Sequence, residues 1–345
     1  MLNGRLHGLL ILGALLFTIS GTRPAAAQDS FFKGKTIRIV VGFSAGGGYD
    51  LYARAIARHM GNHIPGNPTI VVENMAGAAS MISANHLYKV ARPDGLTIGH
   101  FIGGLFLQQI LGRQGIEFDA RKFEYLGVPI KDTYCIGLTK ASGITSLENW
   151  MAAKSPVKIG GTAPGSATDD IPAVLQAALG LPLQVVSGYK GTAEIRLAAD
   201  SGEVGGFSTG WESFKSTWRK SLDSGEAFIA VQAVAKPHPE LPKVPLAINY
   251  AKTNEAKKLI QVGAHDPGML ARPFVLPPGT PKERVLILRK AFMETFTDPE
   301  FLAEAKKSNL DIAPIAGDEI AKTVDNLFKI EAPVVERLKK ILLPK

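Results

Sequence analysis

The feature that most constrains this chain is a pattern that occurs twice: a short β-branched run, a glycine-rich loop, then residues of helical periodicity. Thr36–Val41 reads Thr-Ile-Arg-Ile-Val-Val, stops at Gly42, and leads through Gly46-Gly47-Gly48 into a helix expected over about Tyr49–Met60. Thr69–Val72 is a second strand, followed by the loop Glu73–Ala79 and a helix whose apolar face is Met81, Ala84, Leu87 and Tyr88. Pro93-Asp94-Gly95 marks a turn before a strand at Leu96–Phe101. The pattern restarts with strands at Cys135–Leu138 and Val157–Gly160 and a second glycine loop, Gly161–Thr168. A helix follows at Asp169–Leu179, with Pro172 in its first turn and Gly180 as its terminator. Gln184–Ser187, a helix near Thr192–Ala199 and Val204–Ser208 complete the second unit. Such alternation with short connections implies a mostly parallel sheet with helices on both faces, so the fold class is α/β.

The 345 residues suffice for two such units. The Pro-dense stretch Lys236–Pro242 reads as a crossing, and the rest as helices at Ala251–Val262, Pro281–Phe296, Pro299–Ser308 and Asp318–Leu343 around a strand-like Pro273–Leu276. The expected division is lobe one at 31–132 plus much of 236–345, and lobe two at 133–235. A cleft between such lobes is where small ligands are usually held.

Residues 1–27 have the layout of an export signal: Arg5 without any acid, an apolar run from Leu9 to Ile19, and Ala25-Ala26-Ala27 as the cleavage site. The apolar run is too short for a membrane span, which needs roughly 20 residues. Removing these 27 residues, Arg5 and Arg23 among them, leaves 318 residues with net charge +6. The expected location is the periplasm. The positive charge is spread along the chain, which does not suggest a nucleic-acid partner. The single cysteine, Cys135, excludes an internal disulfide and reads as a buried small hydrophobe.

Three strand-to-helix loops carry the expected chemistry. Glycines at 46–48 let a ligand approach bare backbone at a helix start, where N–H groups and the helix dipole favour an anion. No Lys-Ser/Thr pair follows as a phosphate loop requires, and the spacing is not G-x-G-x-x-G, so a nucleotide is disfavoured. Thr162–Thr168 repeats the theme with Thr162, Ser166 and Thr168 as hydroxyl donors, although Ser166 or Thr168 could simply cap the helix, worth about 1 kcal/mol. Glu73–Ser80 is the third loop. None of the three contains Lys or Arg, so recognition would rest on backbone and hydroxyl groups. Gly42-Phe43-Ser44-Ala45-Gly46 also matches the nucleophile elbow of an α/β-hydrolase, with Asp200 and His265 available in triad order. Against that alternative, the motif lies on the first strand after the export signal, with no earlier sheet beside it. His59 and His63 are four apart without a third ligand nearby, and His86, His100, His238 and His265 are isolated, so no metal site is expected. Trp211 and Trp218 read as packing residues on a helix.

These loops resemble the tripartite tricarboxylate transporter substrate-binding proteins, the TctC or Bug family. The resemblance runs from Ile37–Val41 and Gly46-Gly47-Gly48-Tyr49-Asp50 through Val71-Val72-Glu73-Asn74 with Gly77-Ala78, and Pro93–Thr97. It continues through Gly165-Ser166, Tyr189-Lys190-Gly191, Gly202-Glu203-Val204 and Leu276–Pro281. It implies a two-lobed periplasmic binding protein, type II-like and without catalytic residues or cofactor, monomeric, closing on a small organic anion such as a carboxylate. The partners it implies are the large and small membrane subunits of a permease; a ligand-sensing subunit of a signalling system is the alternative within the same fold. Carried onto this chain, the ligand site is Phe43, Ser44, Gly46, Gly47, Gly48 and Tyr49; Gly77, Ala78 and Ser80; Thr162, Gly165, Ser166, Ala167 and Thr168; with Thr133, Tyr134, Ser208 and Thr209 at its margins. Ser44 and Ala45 stand where the family has prolines, Tyr49 where it has a small hydroxyl residue, and Met75-Ala76 where it has Arg-Pro. A histidine common after Gly-Ser is absent, with Asp169 nearby.

Overall fold

A computed structural model describes residues 31–343. The expected export signal, with its cleavage site at Ala27, lies outside the described residues.

The chain lays down β1 (Thr36–Val41), α1 (Gly48–Met60), β2 (Thr69–Asn74), α2 (Met81–Lys89), β3 (Thr97–His100), α3 (Gly104–Ile110) and β4 (Glu124–Val128). It then crosses to β5 (Tyr134–Thr139), α4 (Leu147–Met151), β6 (Val157–Gly160), α5 (Ala167–Leu179), β7 (Leu183–Val186) and α6 (Thr192–Asp200). β8 (Gly206–Gly210), α7 (Trp211–Thr217), α8 (Arg219–Asp223) and β9 (Ala227–Gln232) complete that unit. The returning chain forms α9 (Asn254–Ile260), which runs through a π-helical turn at Gln261–His265 into α10 (Asp266–Gly268). β10 (Phe274–Leu276), α11 (Lys282–Thr295), α12 (Pro299–Lys307), β11 (Ile315–Ala316), α13 (Gly317–Leu327) and α14 (Ala332–Leu342) follow.

Two sheets result. The first has the order β11-β4-β10-β3-β1-β2, with β1, β2 and β3 parallel and β10 antiparallel to both its neighbours. The second has the order β7-β6-β8-β5-β9, with β6, β7 and β8 parallel and β5 antiparallel to β8 and β9. In β1 the alternation of Ile37, Ile39 and Val41, all fully buried, sets which face meets the core. One apolar core extends from the first sheet onto the α5 face of the second, through Ile136, Leu138, Trp150 and Val174. The opposite face of the second sheet has its own cluster, where Phe207, Phe214 and Trp218 stack around Ile195 and Cys135. Trp211 and Trp218 are thus packing residues and Cys135 is a buried hydrophobe, as expected.

Several elements differ from the sequence reading. β4, β9 and α3 were not visible as separate elements, because their segments are short and continuously buried. The long helix expected at Asp318–Leu343 is two helices, broken at Phe328–Glu331, with Pro333 in the first turn of α14. α5 begins two residues early, so Pro172 is its sixth residue and the Thr168 carbonyl loses a helical donor. Of the returning chain, α11 and α13 pack against the first sheet, whereas α9 and α14 lie against α5 of the second.

Gly317 shows how closely the returning chain is seated: a Cβ there would lie 1.9 Å from the Tyr125 carbonyl oxygen of β4. Gly317→Ala is expected to destabilise the fold by about 1–3 kcal/mol, the usual cost of overpacking. Urea unfolding of the variant beside the parent chain measures it; an unchanged midpoint would show that α13 shifts freely on β4.

Candidate functional site

Helix α1 starts at Gly48 with Gly47 as its N-cap, and a glycine offers no side-chain acceptor, so the first-turn N–H groups have no capping side chain. They carry the positive end of a 13-residue helix dipole. Gly47, Gly48 and Tyr49 face a cavity between the lobes, joined by Phe43 and Ile102 from the first lobe and Asp132 from the crossing. The far wall is Thr162, Ser166, Ala167, Thr168, Thr192 and Thr209. Glycine is sterically required at 48, since a Cβ there would lie 2.1 Å from Ser213 Oγ across the cleft.

The lobes nearly meet. The cavity between them is narrow, with about 370 Å³ of space, part of it open to solvent. Direct contacts hold the rims together: Ser44 N–H donates to the Lys190 carbonyl at 3.2 Å, Gln108 Nε2 donates to Asp170 Oδ2 at 2.9 Å, and Arg113 donates to the Pro164 carbonyl. A larger hollow on the second lobe, beside Lys154 and Lys158, is shallow and open, and none of the three loops reaches it.

The two glycine loops look alike in sequence and differ in charge. At α5 the chain's own carboxylates occupy the helix start. Thr162 N–H donates to Asp169 Oδ2 at 2.7 Å, the Thr168 hydroxyl donates to the same oxygen at 2.8 Å, and Gly165 N–H donates to Asp170 Oδ1 at 2.8 Å. Burial raises Asp169 and pushes Asp170 up to about 7. At α1 the acid is turned aside: Asp50 accepts from Gly46 N–H at 2.9 Å, Arg54 Nε at 2.8 Å and Asn74 Nδ2 at 2.9 Å. Burial opposes its ionisation, but these donors hold it below the usual carboxylate range.

Of the residues expected at the site, Phe43, Gly47, Gly48, Tyr49, Thr162, Ser166, Ala167, Thr168 and Thr209 are brought together. The others stand behind the wall. Gly46 and Gly165 donate to Asp50 and Asp170. Gly77 and Ala78 belong to a turn in which Ala78, Ala79 and Ser80 all hold left-handed backbone, at φ 49°, 54° and 65°. Ser80 is fully buried, and its Oγ accepts from Ile102 N–H at 3.0 Å, so that loop braces the wall without lining it. Thr133 N–H donates to Glu212 Oε2 at 3.1 Å, Tyr134 is buried, and the Ser208 hydroxyl donates to the Cys135 carbonyl. Ser44 Oγ is buried without a hydrogen-bond partner, while Asp200 accepts from Trp218 Nε1 at 2.7 Å and His265 Nε2 is unpartnered. No triad is assembled from Ser44, Asp200 and His265.

His59 bonds to Glu304 and His63 to Asp298, tying α1 and the turn after it to the body and N-cap of α12. Donor atoms of Glu212, His238 and Asp311 lie within 4.8 Å of one another, but the Lys215 ammonium already sits 2.5 Å from Asp311 and 2.6 Å from Glu240.

Sequence reasoning missed the group behind the cavity. Arg272 is fully buried; its Nε donates to Asp132 Oδ1, its Nη2 donates to Ser213 Oγ at 2.7 Å, and its guanidinium lies 4.8 Å from the Tyr49 and Tyr52 rings. Tyr49 completes the arrangement by donating its hydroxyl to the Ala271 carbonyl. Burial and the neighbouring Asp132 push Glu212 up to about 7. The signal was present: an arginine set between Met269-Leu270-Ala271 and Pro273–Leu276 in an otherwise apolar run.

Removing Arg272 leaves Asp132 and Glu212 buried without their cation, so Arg272→Met is expected to cost about 3–5 kcal/mol in urea unfolding. A loss below 1 kcal/mol would mean that water enters the network. Glu212 keeps a proton in the folded chain that the unfolded chain, titrating near 4.5, has already released. Its contribution is therefore full below about pH 4.5 and is lost as pH rises through about 7. The Glu212→Gln variant is expected to gain melting temperature relative to the parent between pH 5 and pH 8; a constant difference would contradict this.

No family model matches the chain. A curated protein of Cupriavidus necator, described as UPF0065 protein in gbd 5'region, is 25% identical over 334 residues, covering 91% of each chain. Among solved structures, an R. palustris protein determined with adipate matches at TM-score 0.73 and 21% identity, over 90% of this chain and 99% of that one. The periplasmic binding protein BugD matches at TM-score 0.71 and 21% identity, over 91% and 100%. MatC from Rhodopseudomonas palustris, with bound malate, matches at TM-score 0.69 and 18% identity, over 90% and 100%. The chain has the two-lobed α/β fold of the Bug and TctC periplasmic binding proteins, the family that its sequence resembles.

Proposed function

We propose that the chain is a periplasmic solute-binding protein that captures a small carboxylate and delivers it to a tripartite tricarboxylate-type permease. The observation that carries this reading is the uncapped first turn of α1, whose residues Gly47, Gly48 and Tyr49 open into the cavity between the lobes. The carboxylate bound there takes backbone N–H donors from α1 and hydroxyls from the far wall. Adipate and malate in two structures of the same fold support the ligand class. In this reading lobe one is 31–132 with much of 236–345, lobe two is 133–235, and a ligand touching both favours the closed state by its differential affinity. Residues 1–27 act as the export signal, and turnover of the ligand is not part of the function.

A melting screen with mono-, di- and tricarboxylates tests it, because a ligand at 1,000 times its Kd stabilises by about 4 kcal/mol. No shift across the panel, with ligand-free protein, overturns the reading. Gly47 has ordinary backbone (φ −84°), and a Cβ there would lie 3.0 Å from Thr192 Oγ1 across the cleft. Gly47→Val is therefore expected to retain the fold and lose ligand affinity by about 100-fold, or about 2.7 kcal/mol. Unchanged affinity by calorimetry would remove α1 from the site.

A further inference from the structure

We propose that Asp132 is a specificity-determining residue, and that the acid held in the cavity turns a hydrogen-bond donor, a hydroxyl or ammonium group, toward it. This rests on the reading of the cavity as a carboxylate site.

The cavity wall carries both donors and an acceptor. At the α1 end, uncapped N–H groups suit one carboxylate, and Thr192 stands beside Gly47. Toward the crossing, Asp132 lines the cavity with its Oδ1 taken by Arg272 Nε. Arg272 is spent on Asp132, Ser213 and the two tyrosine rings, and Glu212 is a second carboxylate behind the same wall. No cationic side chain lines the cavity among the described residues.

The hydroxyls of the far wall do not reverse this balance. Thr168 gives its proton to Asp169. Its two lone pairs then face three donors: Thr162 N–H at 3.0 Å, the Thr162 hydroxyl at 3.1 Å and the Ser166 hydroxyl at 2.9 Å. The Thr162 and Ser166 hydroxyls thus have an internal acceptor in Thr168 Oγ1 with which a ligand must compete, and Thr209 is a further hydroxyl on that wall. A second ionised carboxylate beside Asp132 would lose its water and face another carboxylate, whose own ionisation burial already opposes despite Arg272. A hydroxyl or ammonium group on the ligand instead gives its hydrogen to Asp132. Sites that require a donor discriminate strongly against analogues lacking it, because a buried acceptor is then left unpaired.

The experiment is calorimetric titration of ligand-stripped protein with acids matched in length: propionate, lactate and alanine; succinate, malate and aspartate; glutarate, 2-hydroxyglutarate and glutamate, with both enantiomers of each chiral acid. The expected result is at least tenfold tighter binding of a hydroxy or amino acid than of its plain counterpart, with the better arm showing which donor is preferred. In Asp132→Asn that ratio is expected to fall to about threefold or less. If Asp132→Asn does not fold, the ratios in the unaltered protein decide alone. Plain acids binding as well as or better than their donor-bearing counterparts overturn the role of Asp132 while leaving the carboxylate reading intact, and so does a ratio that Asp132→Asn leaves unchanged. No binding by any member of the panel overturns the role of Asp132, and the wider melting screen then decides the carboxylate reading.

Discussion

The Arg272 guanidinium joins parts of the chain that have little else in common. It arrives on the returning segment before β10, takes Asp132 at the crossing and Ser213 on α7, and lies over two tyrosines of α1. Burying such an ion costs several kcal/mol, recovered only where geometry and hydrogen bonds are good. The arrangement thus serves position more than stability. It sets the start of α1 against α7, with Gly48 close enough to Ser213 to exclude any side chain. The shape of the cavity follows, since its two walls are the loop before α1 and the hydroxyl-rich loop before α5.

Those walls divide the electrostatic work. Both begin as glycine loops at helix starts, but Asp169 and Asp170 take the N–H groups of Thr162 and Gly165, whereas Asp50, which takes Gly46 N–H, is held sideways by Arg54 and Asn74 and leaves the first turn of α1 uncapped. A helix terminus attracts an anion only when the chain has not already supplied one.

The α/β class, the strands β1, β2, β3 and β6 and the glycine loops were legible because β-branched runs and glycines are local signals. The candidate site was legible only where its residues reach the cavity through such loops, as Gly47, Tyr49, Ser166 and Thr168 do. Ser80 and Ser44 carry the same loop chemistry, yet one braces Ile102 within the first lobe and the other is buried at the rim against the second, a difference set by tertiary packing. Asp132 and Arg272 are 140 residues apart, and nothing local marks them as partners. The similarity of the two glycine loops hid their opposite charge, although Asp169-Asp170 after the second was in plain view.

The place of β10 has a consequence for how the chain assembles. It fills the gap between β3 and β4, so those strands meet no neighbour on that side until residues 274–276 are present. The second sheet draws all its strands from residues 134–232. In a polypeptide that emerges from its N-terminus, the later unit closes its sheet first, and the earlier one waits, open at its middle, for a three-residue keystone.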